Sequence, residues 1–123
     1  MRGMSQLILI VDDDAELRNI YRHALERAGY STVEAANGIE ALQTIEAYFP
    51  ALVIMDMAMP KMGGSELLEK IQGNPETAAL PIIIVTARPE YRDMAGELAV
   101  ARFFLKPVGP NEIVEAIDEI LNS

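Results

Sequence analysis

The sequence predicts an α/β protein whose parallel sheet is covered by helices on both faces. Three observations carry that prediction. Short unbroken apolar runs recur at Leu7–Val11, Ala51–Met55 and Pro81–Val85, as expected of strands buried on both faces. Segments with helical spacing of apolar residues alternate with them, which argues strand–helix–strand crossovers and a parallel sheet. Polar groups stand where the strands end, Asp56 first among them, and open α/β sheets bind ligands beyond their strands' carboxyl ends.

The first strand, Leu7–Val11, runs into Asp12, Asp13 and Asp14. Asp13 or Asp14 can cap the helix that follows. In that helix Leu17, Ile20, Tyr21, Ala24 and Ala28 form the apolar stripe, and Gly29 suits the position just past its end. Ser31–Ala35 reads as a weaker strand near an edge. Asn37-Gly38 signals a turn, and a helix follows from about Ile39 to Tyr48, stopped by Pro50. After Ala51–Met55 the chain leaves through Asp56 and a loop holding Pro60, Gly63 and Gly64. Ser65–Gln72 is a helix burying Leu67, Leu68 and Ile71, broken by Gly73-Asn74-Pro75. Pro81–Val85 is the fourth strand, ending in Thr86-Ala87. A helix over Arg88–Val100 accommodates Pro89 in its first turn but is weakened by Gly96. Arg102–Leu105 is the fifth strand, ending in Lys106-Pro107. A last helix starts with Pro110 at its first position and carries Ile113, Ile117, Ile120 and Leu121 as its stripe.

The chain has 123 residues, enough for one domain with a real core, and we expect a single domain over 1–123 with its core at about 6–121. Half of the residues are hydrophobic and 24% are charged, a globular composition. The absence of cysteine excludes disulfides and thiolate metal sites. A net charge of −9 argues against direct nucleic-acid binding, which needs a basic patch. No apolar run approaches the roughly 18 residues of a membrane span. The segment Met1–Gln6 makes a poor signal peptide, and Met4 is a second candidate start. A cytoplasmic protein without a membrane partner is expected.

In a doubly wound sheet all strand ends share one rim, so Asp12, Asp13, Asp56, Thr86 and Lys106 should converge. Crowded carboxylates repel and would raise one another's pKa values. A hard divalent cation removes that penalty, and Mg²⁺ suits oxygen ligands while keeping sites for water and phosphate. A carboxylate beside such a metal can attack phosphorus and form an aspartyl phosphate. Lys106 would neutralise the phosphoryl oxygens and the Thr86 hydroxyl would donate to one of them.

This combination resembles the response-regulator receiver domain of two-component signalling, of the chemotaxis-regulator type. The matching features are Asp12-Asp13, Asp56 with its Pro60 and Gly63-Gly64 loop, Thr86-Ala87 and Lys106-Pro107. The resemblance covers the chain from about Gln6 to Leu121. It implies a flavodoxin-like sheet in the order 2-1-3-4-5. It also implies that Asp56 is a phosphoacceptor, taking its phosphoryl group from a histidine kinase or a histidine phosphotransfer protein. By position, Asp13 resembles a direct Mg²⁺ ligand, Asp12 a ligand acting mainly through water, and Ala58 the donor of a backbone carbonyl; Mn²⁺ is an alternative occupant. Lys106 resembles the phosphate-contacting lysine, Thr86 the switch hydroxyl and Phe103 the aromatic switch residue. The protein is then a signalling switch and not a turnover enzyme, a monomer or a phosphorylation-dependent dimer, with its downstream target unspecified. Three departures bear on the switch surface. Phe103 lacks the hydroxyl of the usual tyrosine, Ala99 replaces a frequent glycine and Val108 a frequent aromatic.

Two other readings compete. A small Mg²⁺-dependent phosphatase would use the aspartyl phosphate as an intermediate, but Ala58 stands where a second acid–base carboxylate is needed. A degenerate receiver would serve only dimerisation, which the intact Asp12, Asp13, Asp56, Thr86 and Lys106 make unnecessary. Other features read as structural: Asp14 as a cap, His23 as a surface residue, Met55, Met57, Met59 and Met62 as flexible packing. The charged residues of the first helix read as a solvated face.

Overall fold

The computed structural model describes residues 6–97 and 99–122. The expectations for residues 1–5 and for Ser123 lie outside that range. The elements are β1 (Leu7–Val11), α1 (Ala15–Arg27), β2 (Ser31–Ala35), α2 (Gly38–Tyr48), β3 (Leu52–Met55), α3 (Gly64–Gln72), β4 (Ile82–Thr86), α4 (Tyr91–Glu97), β5 (Arg102–Leu105) and α5 (Pro110–Leu121). All strand pairs are parallel, and the sheet order is β2-β1-β3-β4-β5, as expected.

Period-two alternation divides the strands between two cores. Leu9, Val11, Val53, Met55, Ile82 and Ile84 face one way and pack with Ala41 and Ile45 of α2 and Leu67, Leu68 and Ile71 of α3. Ile8, Ile10, Leu52, Ile54, Ile83 and Val85 face the other way, against Tyr21 and Leu25 of α1 and Ile113, Ala116 and Ile117 of α5. That two-sided burial is why the central strands read as unbroken apolar runs. The outer strands β2 and β5 are less buried, with Ser31, Glu34 and Arg102 exposed.

Caps set the helix starts. Asp14 caps α1, its carboxylate accepting from the amides of Glu16 and Leu17. Asn37 caps α2 and accepts from the Glu40 amide. Gly29, at φ 100°, supplies the left-handed residue that ends α1.

Several boundaries and faces differ from expectation. Helix α4 covers Tyr91–Glu97, shorter than the expected Arg88–Val100. Its start is delayed because Pro89 and Glu90 form a turn in which the Arg92 amide bonds the Pro89 carbonyl. β4 starts at Ile82 and not at Pro81, and ends at Thr86 as expected. In α1, Ile20 is 47% exposed and Ala28 is exposed, whereas Leu25 is buried. The real stripe is Leu17, Tyr21 and Leu25, a run of i+4 steps turned slightly from the one the spacing suggested. The charged face of α1 is not merely solvated, since Arg18 and Arg22 both pair with Glu34 of β2.

Candidate functional site

The carboxyl ends of β1, β3, β4 and β5 bring Asp12, Asp56, Thr86 and Lys106 to one rim. Asp12 is held at the end of β1 by its amide, which bonds Ala35 O at 3.1 Å. The Asp56 amide bonds Val11 O at 3.0 Å, which ties the end of β3 to the end of β1. Lys106 follows β5 and its amide bonds Thr86 O at 2.8 Å; the Lys106–Pro107 peptide is cis. Asp12 and Asp56 are buried, and Asp13 is exposed.

The Lys106 ammonium is the hub of the site. Its Nζ donates to Asp56 Oδ2 at 2.7 Å and to Asp12 Oδ2 at 3.0 Å. The other oxygens of the two carboxylates are used locally. Asp56 Oδ1 accepts from the Ala58 amide at 3.1 Å, and Asp12 Oδ1 from the Asp14 amide at 2.9 Å.

Burial raises the pKa of Asp12, although the Asp14 amide and Lys106 pull it down; Asp56 adds only the smallest upward push. For Asp12, repulsion from Asp56 acts in the expected direction but is a smaller cause than burial. Burial alone would lower the Lys106 pKa. Its hydrogen bonds to Asp56 and Asp12, with their charges, outweigh that and raise it.

One carboxylate oxygen each from Asp12, Asp13 and Asp56 lies within 4.8 Å of the others. An all-oxygen donor set of this size suits a hard cation such as Mg²⁺. The side chains thus fit the ion that the sequence pattern implies. Ala58, expected to lend its carbonyl, is exposed on the loop just beyond Asp56.

The other two expected residues are placed differently. Thr86 is fully buried, and its Oγ1 accepts from the Arg88 amide at 3.3 Å. Phe103 is half-buried, packed against the core on the α2–α3 side of the sheet. The Arg92 guanidinium lies over its ring, 5.3 Å from the centroid. That contact was invisible in the sequence, since nothing in the spacing of α4 and β5 brings the two residues together.

The loop behind Asp56 depends on close approaches that only glycine allows. A Cβ on Gly64 would meet Met57 Cα at 2.5 Å and Asp56 O at 2.8 Å, whereas one on Gly63 would meet nothing closer than 3.6 Å. Of these two glycines Gly64 is the one required by packing, and Gly38 of α2 is held as closely from the other side, a Cβ there meeting Met62 O of this loop at 2.6 Å. Met57 is buried and Met59 and Met62 pack on the same core, so the methionines are packing residues as expected.

Sequence reasoning missed Arg18 and Glu34. Arg18 Nη1 donates to the Asp12 carbonyl at 2.5 Å and its Nε to Glu34 Oε1 at 2.9 Å. The position of Arg18, one turn after Asp14, was the only available signal.

The chain is similar to known proteins in both sequence and fold. The family profile described as "Response regulator receiver domain" matches residues 8–118. Sporulation initiation phosphotransferase F of Bacillus subtilis (strain 168) is 36% identical over 121 residues, covering 96% of this chain and 95% of that protein. The alkaline phosphatase synthesis transcriptional regulatory protein PhoP of the same organism is 32% identical over 120 residues, covering 96% of this chain. The chain spans about half the length of PhoP, 49%. The high-resolution structure of the chemotaxis response regulator CheY4 of Vibrio cholerae superposes with a TM-score of 0.88 at 27% identity, covering 96% of this chain and 100% of that one.

Proposed function

Because the chain belongs to the response-regulator receiver domain family, we propose that it is a phosphorylation switch whose phosphoacceptor is Asp56. The observation that carries this reading is the Lys106 ammonium, 2.7 Å from Asp56 and 3.0 Å from Asp12 at a rim of three carboxylates. In this reading an Asp56 carboxylate oxygen attacks the phosphorus of a phosphohistidine on a histidine kinase or phosphotransfer protein. A P–O bond forms, the P–N bond breaks, and the imidazole nitrogen keeps the electron pair and takes up a proton. Asp12, Asp13 and Asp56, with the Ala58 carbonyl, would hold Mg²⁺, or Mn²⁺ in its place. Bound there, the cation supplies positive charge against the phosphoryl oxygens.

Lys106 lies close enough to transfer its ammonium from the free carboxylates to the phosphoryl oxygens. The Thr86 hydroxyl leaves its contact with the Arg88 amide and donates to the phosphoryl group. Phe103 then turns into the space released, which remodels the surface of α4, β5 and α5. The chain assists its own phosphorylation and dephosphorylation, as one domain acting in the cytoplasm, alone or as a phosphorylation-dependent dimer. Receiver domains are signalling proteins and not metabolic enzymes, so neither the phosphatase nor the pure dimerisation reading is favoured. Among the described residues no helix is long and apolar enough to cross a membrane.

The test is chemical. Incubation with Mg²⁺ and labelled acetyl phosphate is expected to give one phosphoryl group per chain, lost on treatment with hydroxylamine and absent without a divalent cation. Continuous turnover of a phosphoester with no trapped acyl phosphate would support the phosphatase instead.

A further inference from the structure

We propose that Arg18 is a positioning residue for the cation site, fixing the peptide that joins Asp12 to Asp13. The inference rests on the reading of Asp12, Asp13 and Asp56 as cation ligands. Its basis is how the Asp12 main chain is held. The Asp12 amide bonds Ala35 O at 3.1 Å, and its carbonyl accepts from Arg18 Nη1 at 2.5 Å. The same guanidinium donates through Nε to Glu34 Oε1 at 2.9 Å. Glu34 is itself steadied by Arg22, whose Nε lies 3.3 Å from Oε2.

Arg18 is only 17% exposed in its side chain, well packed for an arginine on an outer helix. Its planar fork therefore joins a carboxylate on β2 to the carbonyl between two acidic residues. Rotation of that peptide would swing the exposed Asp13 carboxylate away from the buried Asp12 and Asp56. Metal affinity depends on such supporting contacts as well as on the ligands themselves. Neither donor contact reaches the ligand oxygens, so Arg18 acts through Asp12 and Asp13 and not on the ion.

Charge and positioning predict opposite effects on affinity. By charge alone, removing the Arg18 cation and leaving Glu34 behind would tighten cation binding. By positioning, the same change loosens it. Lysine keeps the charge and the helix propensity of arginine but cannot span both partners with a fixed fork. Glutamine at position 34 keeps an acceptor for Arg18 Nε while removing a negative charge.

The experiment is an Mg²⁺ titration of the full chain, followed by the amide chemical shifts of Asp13 and Asp56, with metal-free melting curves in parallel. Positioning predicts that Arg18→Ala and Arg18→Lys each raise the Mg²⁺ Kd by about tenfold, the low end for a supporting contact. Glu34→Gln, which keeps that support, should raise it less than either Arg18 variant. An unchanged Kd in Arg18→Lys, or tighter binding in Arg18→Ala, would overturn the inference. So would a lower melting temperature with an unchanged Kd, since Arg18 would then hold the fold and not the site. If wild type itself binds no Mg²⁺, the reading of the cation site fails first.

Discussion

Burial raises the pKa of Asp12 even though the Lys106 ammonium lies 3.0 Å from its carboxylate. For a group whose pKa is raised on folding, the stabilising contribution is present below the unfolded value of about 3.8. It is lost as pH rises through the raised folded value. At neutral pH the Asp12 charge therefore opposes folding of the metal-free chain. Asp12→Asn keeps an acceptor for Lys106 and the Asp14 amide without the charge. It should melt higher than wild type at pH 7 without metal, with the difference shrinking as pH falls through the acid range. Melting curves across that range check this, and a gap that widens in acid would contradict it. Lys106 runs the other way: its ion pairs are fully present below its unfolded value of 10.5 and are lost as pH rises through its raised folded value. A separate residue-scale effect belongs to Ala99, which sits at φ 55° before β5. A side chain there costs about 1–2 kcal/mol in the left-handed region, partly offset by the entropy glycine loses on folding. Ala99→Gly should thus stabilise the chain by about 0.5–1 kcal/mol in denaturant unfolding.

At the scale of elements, α4 and β5 carry the departure with the clearest consequence. Phe103 has no hydroxyl, so an outward ring gains nothing from a hydrogen bond of the kind tyrosine makes. The Arg92 guanidinium over the ring, 5.3 Å from its centroid, provides a hold that needs no hydroxyl. At an exposed site such a contact contributes about 0.5–1 kcal/mol, which in the proposed switch is roughly a two- to fivefold bias between ring positions. Arg92→Ala should release the ring. The expected readout is faster phosphorylation by a small phosphodonor, by roughly two- to fivefold, with Phe103 ring resonances shifted in the metal-free state. Unchanged rates and resonances would show that the stack does not bias the switch. This part of the chain was also the hardest to read. Pro89 and Gly96 both admit a helix while weakening it, and the turn at Pro89 and Glu90 that delays α4 depends on backbone bonding that no periodicity reports.

The sheet of the whole molecule was legible for a physical reason. A strand with both faces covered must be apolar at every position, so β1, β3 and β4 announced themselves. Parallel pairing across all five strands forced their carboxyl ends to one rim, which brings Asp12 of β1, Asp56 of β3 and Lys106 of β5 together. What pattern could not give was the pairing among them. Lys106 bridging two carboxylates, Arg18 on the Asp12 carbonyl and Arg92 over Phe103 all join residues on different elements. Long side chains reach such partners through rotamers that sequence spacing does not constrain. The face of α1 was misjudged because Ile20 and Leu25 both fit a helical stripe, and only the packing against α5 and the sheet selects Leu25.

The most direct test of the central claim is the intact mass of wild type and Asp56→Asn after incubation with Mg²⁺ and acetyl phosphate. One added phosphoryl group on wild type, absent from Asp56→Asn, is the expected result. An adduct that persists in Asp56→Asn, or a wild type that takes up neither phosphoryl group nor beryllofluoride, would contradict it.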